Sequence, residues 1–461
     1  MGRLTRNDGG LLTSAYPVAA PPLKAGTITV IGLVSVAVYV VALLAMMASM
    51  TYDTWGALLV APVLVIITVP ALRRQAAREA DRRLFTLLFG ALVLKLLGGV
   101  ARYMLGFVLY QNKGDAFAYH TDALAVTNGL LSGHVDLRGA VETPETFISF
   151  IDGVVYAVFR PSILAGFLVF SWLGFLGLLW FYRAFQMAVP EGRPRTYARL
   201  IFFLPSIIFW PSSIGKEAWM LFALGLASLG VAHLLTGRRM RGLLQLGLGL
   251  LGATLVRPHY AGIVAIAFAI AYLIKKPATS LGQLAPVVKV ASLVVVVAVA
   301  ALFLQRTEEF LESSGLSVEG GLTSVGAVTS ALGEASIQTE TGGSEFRTPG
   351  LGSPSGIVLS IGTVLFRPLP TEADNAQVLV TALESSALLL LVMLRFRSVV
   401  AALRSMRRQP YVAYLCAFVL GGAIALSSVA NFGILARQRT LLVPALMIVL
   451  SIPRQREGER A

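Results

Sequence analysis

Five short stretches of this chain hold carboxylates, guanidinium groups and imidazoles at spacings that can do chemistry. The first runs Gly114-Asp115-Ala116-Phe117-Ala118-Tyr119-His120-Thr121-Asp122. The second, Pro205 to Glu217, ends in Gly215-Lys216-Glu217. The third is Arg257-Pro258-His259-Tyr260. The fourth is Phe366-Arg367-Pro368-Leu369-Pro370-Thr371-Glu372, and the fifth runs from Asn431-Phe432-Gly433 to Arg437-Gln438-Arg439. Arginine grips phosphate through two parallel N–H bonds, and lysine meets it as a point charge. A carboxylate beside a bound phosphate ester can take the proton of an attacking hydroxyl. Asp115 is the candidate base. Tyr119, His120, Lys216, Glu217, Arg257, His259, Tyr260, Arg367, Glu372, Asn431, Arg437 and Arg439 are the candidate substrate contacts. Asp115 and His120 could also join at a divalent cation such as Mg or Mn, although a lone Asp/His pair is a poor metal signature.

Plainer readings stand beside these. Asp115 suits the cap of a helix starting near Ala116. Lys216 can anchor at a membrane interface with Glu217 as its partner charge, and Arg257 and His259 can snorkel to headgroups. Trp172, Trp180, Trp210 and Trp219 suit interfacial belts.

The elements that must position these stretches are apolar. Of 461 residues, 56% are hydrophobic and 13% charged. A soluble domain carries roughly 25% charge, so the composition argues against a soluble enzyme and against a disordered chain. The apolar residues form uninterrupted blocks, as a helix spanning hydrocarbon requires. Candidate spans fall near 27–50, 55–72, 84–111, 162–182, 199–214, 217–236, 242–256, 259–274, 286–305, 376–394, 410–427 and 440–453. Two shorter segments differ: 355–366 reads as re-entrant or interfacial rather than as a full span, and 146–160 is amphipathic and suits the membrane surface. The predicted class is an all-α polytopic bundle of about 11–13 spans. Its tails would be residues 1–26 and 454–461, its membrane domain 27–453, and its long loops 112–161 and 306–375. The first block is too long for a cleavable signal segment. The single cysteine, Cys416, excludes an internal disulfide and a cysteine-held metal cluster.

Charge orients the bundle. With both termini in the cytoplasm, the inner segments hold 25 of the 38 basic residues and six of the 24 acidic ones, as the positive-inside rule demands. The five polar stretches then face outward together, at a cell (plasma) membrane. The net charge of +14 punctuates apolar blocks and forms no basic domain, so nucleic acid is not expected as a partner. Lys95 and Arg102 share a face of the third span that should point into the bundle, Lys95 suiting a structural interhelix bond and Arg102, nearer the outer end, the reach to a carrier phosphate. No phosphate-cradling GxxxxGK[ST] loop or strand-borne GxGxxG occurs, which argues against nucleotide chemistry of the usual soluble type.

The segment from Asp115 to Gly133, an acid followed by Tyr119 and a small-residue helix, resembles the first outer-loop signature of membrane glycosyltransferases of the GT-C fold. Pro205–Glu217, the Arg367-Pro368 to Glu372 turn with Asn375, and Asn431-Phe432-Gly433 with Arg437 resemble turns of polytopic proteins from bacterial polysaccharide clusters. The resemblance implies a GT-C-like fold and a polyprenyl-phosphate- or pyrophosphate-linked sugar donor. It implies a glycan or lipid acceptor, an extracytoplasmic site with Asp115 as catalytic carboxylate, and a role in cell-envelope polysaccharide or glycolipid synthesis. Two spans precede the third here, whereas the family's acid usually follows the first. An O-antigen-type polymerase therefore stays open. So do a lipid-linked sugar transporter or flippase and membership of a polysaccharide-assembly complex. Against transport, the two halves show no repeat, and the charges gather at one face.

Overall fold

The computed structural model describes residues 25–109, 111, 114–275, 301, 305, 344–346, 348–349 and 353–453. Most of the predicted tail 1–26, the tail 454–461, most of the predicted span 286–305 and the loop over 306–343 lie outside the described residues. Contacts divide the chain into Met1–Thr51 and Tyr52–Ala461. In the first unit, α1 spans Ala25–Ser49.

The second unit is helical, with one isolated bridge, Glu345 to Asn431, among the described residues. Its helices are α2 (Ala57–Arg78), α3 (Arg82–Tyr103, continued by a π-helical turn Met104–Leu109), α4 (Asp115–Leu131), α5 (Pro144–Phe159), α6 (Ile163–Ala188), α7 (Pro194–Phe203), α8 (Pro205–Phe209), α9 (Lys216–Leu235), α10 (Arg239–Thr254) and α11 (Pro258–Ile274). After the gap come α12 (Pro354–Phe366), α13 (Ala376–Leu394), α14 (Phe396–Ser405), α15 (Pro410–Leu426), α16 (Phe432–Arg439) and α17 (Val443–Leu450).

Among the described residues, five helices are long and apolar enough to cross a membrane: Tyr52–Arg78, Arg83–Val108, Ile163–Ala188, Lys216–Leu235 and Ala376–Leu394. Two bent pairs, α14 with α15 at 117° and α16 with α17 at 60°, raise this to seven. The predicted continuous span 199–214 is not one helix. It breaks at Leu204-Pro205 into α7 and α8 and ends in the turn before α9, because proline lacks the N–H that would continue the ladder. Helices α10 and α11 hold 16 and 17 residues, so they reach only about 25 Å, short of the roughly 30 Å hydrocarbon core.

Helix α6 is the hub. Ser162 caps it by accepting from the Ala165 N–H, and most of its length is buried against α3 and α9. Small residues set the closest approach. A Cβ on Gly225 would lie 2.2 Å from the Gly177 carbonyl oxygen, and one on Gly177 equally close to that of Leu221. Small residues let apolar helices dock backbone to backbone where no water is left to expel. Gly225→Val is therefore expected to push α6 and α9 apart and cost about 1–3 kcal/mol. Thermal unfolding in detergent reads this, and an unchanged midpoint would contradict the contact.

The two ends of this unit differ. At one, Arg195 pairs with Asp81, and Gln75 bonds Gln186 and Arg183. At the other, Asp53 accepts from the Ile163 N–H, Asp115 pairs with Arg437, and the 344–346 segment lies along 430–432. The polar stretches singled out in the sequence lie at this second end.

Candidate functional site

The first stretch forms a helical hairpin. Thr143 and Thr146 make a capping box at the start of α5, with Pro144 in the first turn. The amphipathic segment expected over 146–160 is helical, as α5. Phe147, Ile148 and Tyr156 are nevertheless buried, in a helix that packs chiefly on α4. Asp115 is not the cap of α4. Gly114 holds that position at φ +137°, a backbone setting open to glycine. Asp115 thereby becomes the first helical residue, with its side chain free to project.

A second device shapes the turn that precedes α9. Lys95, buried on α3, donates to the Ile207 carbonyl, the interhelix role the sequence suggested for it. Glu384 on α13 accepts from the Ser206 N–H at 2.7 Å. A lysine and a glutamate from two apolar helices thus hold the backbone of α8. Beyond it the chain turns through Trp210–Gly215 and delivers Lys216 and Glu217 at the start of α9.

These elements enclose a cavity of about 250 Å³ lined by Arg102, Asp115, Tyr119, Ser213, Lys216, Glu217, Gln377 and Arg437, with Leu105, Phe107, Phe117 and Phe167 as apolar wall. Glu217 is its anchor. Its carboxylate accepts from Arg257 Nη2 at 2.8 Å and from Arg437 Nε at 2.9 Å, with its side chain 5% exposed. Arg437 reaches on to Asp115 Oδ2 at 3.1 Å. Lys216 pairs with Glu145 at the start of α5. Burial alone would raise the Glu145 carboxyl, but the Lys216 ammonium outweighs it and holds the group below the usual range. Burial, then the carboxylates of Asp115, Glu145 and Glu217, push the Tyr119 phenol up. It stays protonated, a hydrogen-bond donor at the cavity wall.

No family model, curated protein or solved structure matches this chain. The site must be read from its own geometry.

The cavity gathers five of the sequence-predicted residues: Asp115, Tyr119, Lys216, Glu217 and Arg437. Arg257 sits behind them on Glu217, with Nη1 buried and unpartnered among the described residues. His259 and Tyr260 do not line the cavity. They open α11, where the Tyr260 ring is buried. His120 is absent from the wall too. Five positions after Asp115 it faces another side of α4, and its Nδ1 lies 2.7 Å from the Tyr156 hydroxyl. Among the described residues, no group of three or more His, Cys, Asp or Glu side chains is placed to hold a metal ion.

The remaining four form a separate knot. Arg367 is bonded to Glu372, Nε to Oε1 at 2.8 Å, and its guanidinium lies over the Phe346 and Phe432 rings. Burial would raise the Glu372 carboxyl, and the Arg367 bond overrides it, holding the group low. Arg439, 1% exposed, donates to the Leu365 and Arg367 carbonyls and to Ser385 Oγ. Asn431 caps α16 through the Gly433 and Ile434 N–H groups. These contacts brace the turn at Arg367-Pro368 and do not line the cavity.

Sequence reasoning missed Glu145, Glu384 and Gln377. Glu384 had a signal, being an ionisable residue inside an apolar block. Three of the tryptophans expected in interfacial belts make specific contacts. Trp210 lies under Arg102, while Trp172 and Trp219 donate to Thr68 and to the Gly252 carbonyl.

Asp152, on α5, is fully buried, and among the described residues neither carboxyl oxygen meets a partner in full hydrogen-bond geometry. Burial raises its pKa well above the ordinary value, and the neighbouring Tyr156 hydroxyl opposes this without overcoming it. Burial also lowers the His120 imidazole, against a smaller pull from Asp53. Because the folded state holds the Asp152 proton more tightly than the unfolded chain, the contribution of Asp152 to stability is greatest in acid. It falls as pH rises from the ordinary Asp range through the raised value. Asp152→Asn is expected to flatten that slope, so that the variant's melting point overtakes the wild type's as pH increases. Parallel curves at all pH values would contradict a neutral Asp152.

Proposed function

We propose that this chain is an integral-membrane glycosyltransferase with a GT-C-like fold. It takes a sugar from a polyprenyl-phosphate-linked donor at the extracytoplasmic face of the cell membrane and passes it to a glycan or lipid acceptor during cell-envelope synthesis. The observation that carries the reading is the meeting of Asp115, Lys216, Glu217 and Arg437 in one cavity, from three segments far apart in the chain.

The chemistry follows from where these groups stand. Asp115, its side chain 57% exposed, stands where an acceptor can approach and takes the hydroxyl proton. The acceptor oxygen bonds to the anomeric carbon while the bond from that carbon to the phosphate oxygen breaks. The electron pair leaves on the phosphate, where fixed cations stabilise it at no reorganisation cost. The cavity is small beside typical ligand pockets of roughly 300–1,000 Å³, and so suits a sugar-phosphate head rather than a chain. Phe117, exposed and on the cavity wall, offers apolar contact to a polyprenyl tail.

The test uses the purified chain in proteoliposomes with a radiolabelled polyprenyl-linked sugar and a mixed acceptor pool. Label transferred to acceptor supports the proposal, and a laddered product identifies a glycan acceptor that is being extended. Label moved across the bilayer with no transfer would refute the enzyme reading in favour of a flippase.

A further inference from the structure

Most cations around the cavity are already committed. Arg437 is divided between Glu217 and Asp115, Arg257 is bound to Glu217, and Lys216 is bound to Glu145. Arg102 differs. Its guanidinium lies 4.8 Å from the Phe209 ring centre and 5.1 Å from that of Trp210. It lines the cavity, and its Nε is buried with no hydrogen-bond partner among the described residues. Among the described residues it forms no ion pair. A guanidinium stacked by its face keeps its edge for in-plane bonds, the geometry that fits phosphate oxygens. A buried donor left unmatched is costly, and a ligand oxygen would remove that cost.

The charge balance points the same way. Four cations (Arg102, Lys216, Arg257 and Arg437) face three carboxylates (Asp115, Glu145 and Glu217), which leaves one positive charge. At Arg102, whose Nε is sealed from water, an uncompensated charge is strongly disfavoured. We infer that Arg102 is the seat of the ligand's anionic group, and that the ligand is a lipid-linked sugar phosphodiester, with a single negative charge, rather than a diphosphate. This rests on the proposal that the cavity holds a phosphate-bearing carrier lipid.

Native mass spectrometry of the full chain in detergent tests it with three probes: a long-chain polyprenyl phosphoryl hexose, the matching polyprenyl diphosphoryl hexose, and phosphatidylglycerol. The wild type is expected to bind the phosphodiester about tenfold or more tightly than either of the others. Arg102→Met is expected to lose that factor while keeping the wild-type melting point. Asp115→Asn removes a carboxylate and is expected to narrow the preference over the diphosphate, a shift that a purely structural role for Arg102 would not produce. A wild type that favours the diphosphate, or binds phosphatidylglycerol equally, overturns the inference. So does Arg102→Met binding like wild type. The wild-type comparison stands even if Arg102→Met fails to fold. Failure of every polyprenyl probe to bind the wild type would overturn the parent proposal as well, whereas the earlier outcomes leave transfer at Asp115 intact.

Discussion

Glu217→Gln is expected to destabilise the protein by about 3–5 kcal/mol, the cost of breaking a buried ion pair from one side. Glu217 is the only carboxylate touching Arg257 among the described residues, and it shares Arg437 with Asp115. A glutamine amide supplies one acceptor and turns an NH2 toward a guanidinium, donor against donor. Arg257, its side chain 8% exposed, is poorly placed to reach water, and its Nη1 already lacks a partner among the described residues. Removing the stranded charge as well, in Glu217→Gln with Arg257→Met, should recover part of the loss, as a double-mutant cycle would show. Glu145→Gln is the contrast. Its pair with Lys216 is half exposed, so about 0–1 kcal/mol is expected. Thermal or SDS unfolding in micelles measures all three. A Glu217→Gln protein within about 1 kcal/mol of wild type would mean that the two arginines find other partners, contrary to the anchor role.

Asp115→Asn is expected to lower sugar transfer by roughly 10²–10⁴-fold, the span of general-base catalysis, while changing stability by less than about 1 kcal/mol. The two effects separate because of position. Asp115 stands at the exposed lip, and its bond to Arg437 is a half-solvated pair. Asparagine keeps the shape and one acceptor oxygen but cannot accept a proton. Donor binding should survive while transfer stops. Transfer assays with a lipid-linked sugar, read beside melting curves of the same preparations, check this. Full transfer at normal expression would remove Asp115 as the base, and a collapse of stability would recast it as a structural residue.

How far the site could be read in advance varies by residue. Asp115, Lys216 and Glu217 were legible because ionisable residues beside apolar blocks need a reason to be there. The partition among arginines was not. Arg257, Arg367 and Arg437 look alike in the chain, yet one backs Glu217, one is held by Glu372 and only the third lines the cavity. Arg102 was visible as a buried-face cation, but its freedom from carboxylates depends on what stands opposite it, which local spacing does not encode.

Composition and periodicity were enough to establish an all-helical chain with several helices able to cross a membrane, since backbone in hydrocarbon must satisfy itself within each segment. They also placed the polar stretches at helix ends and marked Lys95 as an interhelix donor. Folding decided which blocks are continuous. Leu204-Pro205 divides one expected span, and α14 to α17 form two bent pairs. Folding also decided which charges meet. Arg437 and Asp115 lie 322 positions apart in the chain and 3.1 Å apart in space. Hydropathy is a local sum and records where a segment can reside. An ion pair depends on the packing of distant helices, which here is set by glycine contacts and by the Lys95 and Glu384 grip on α8.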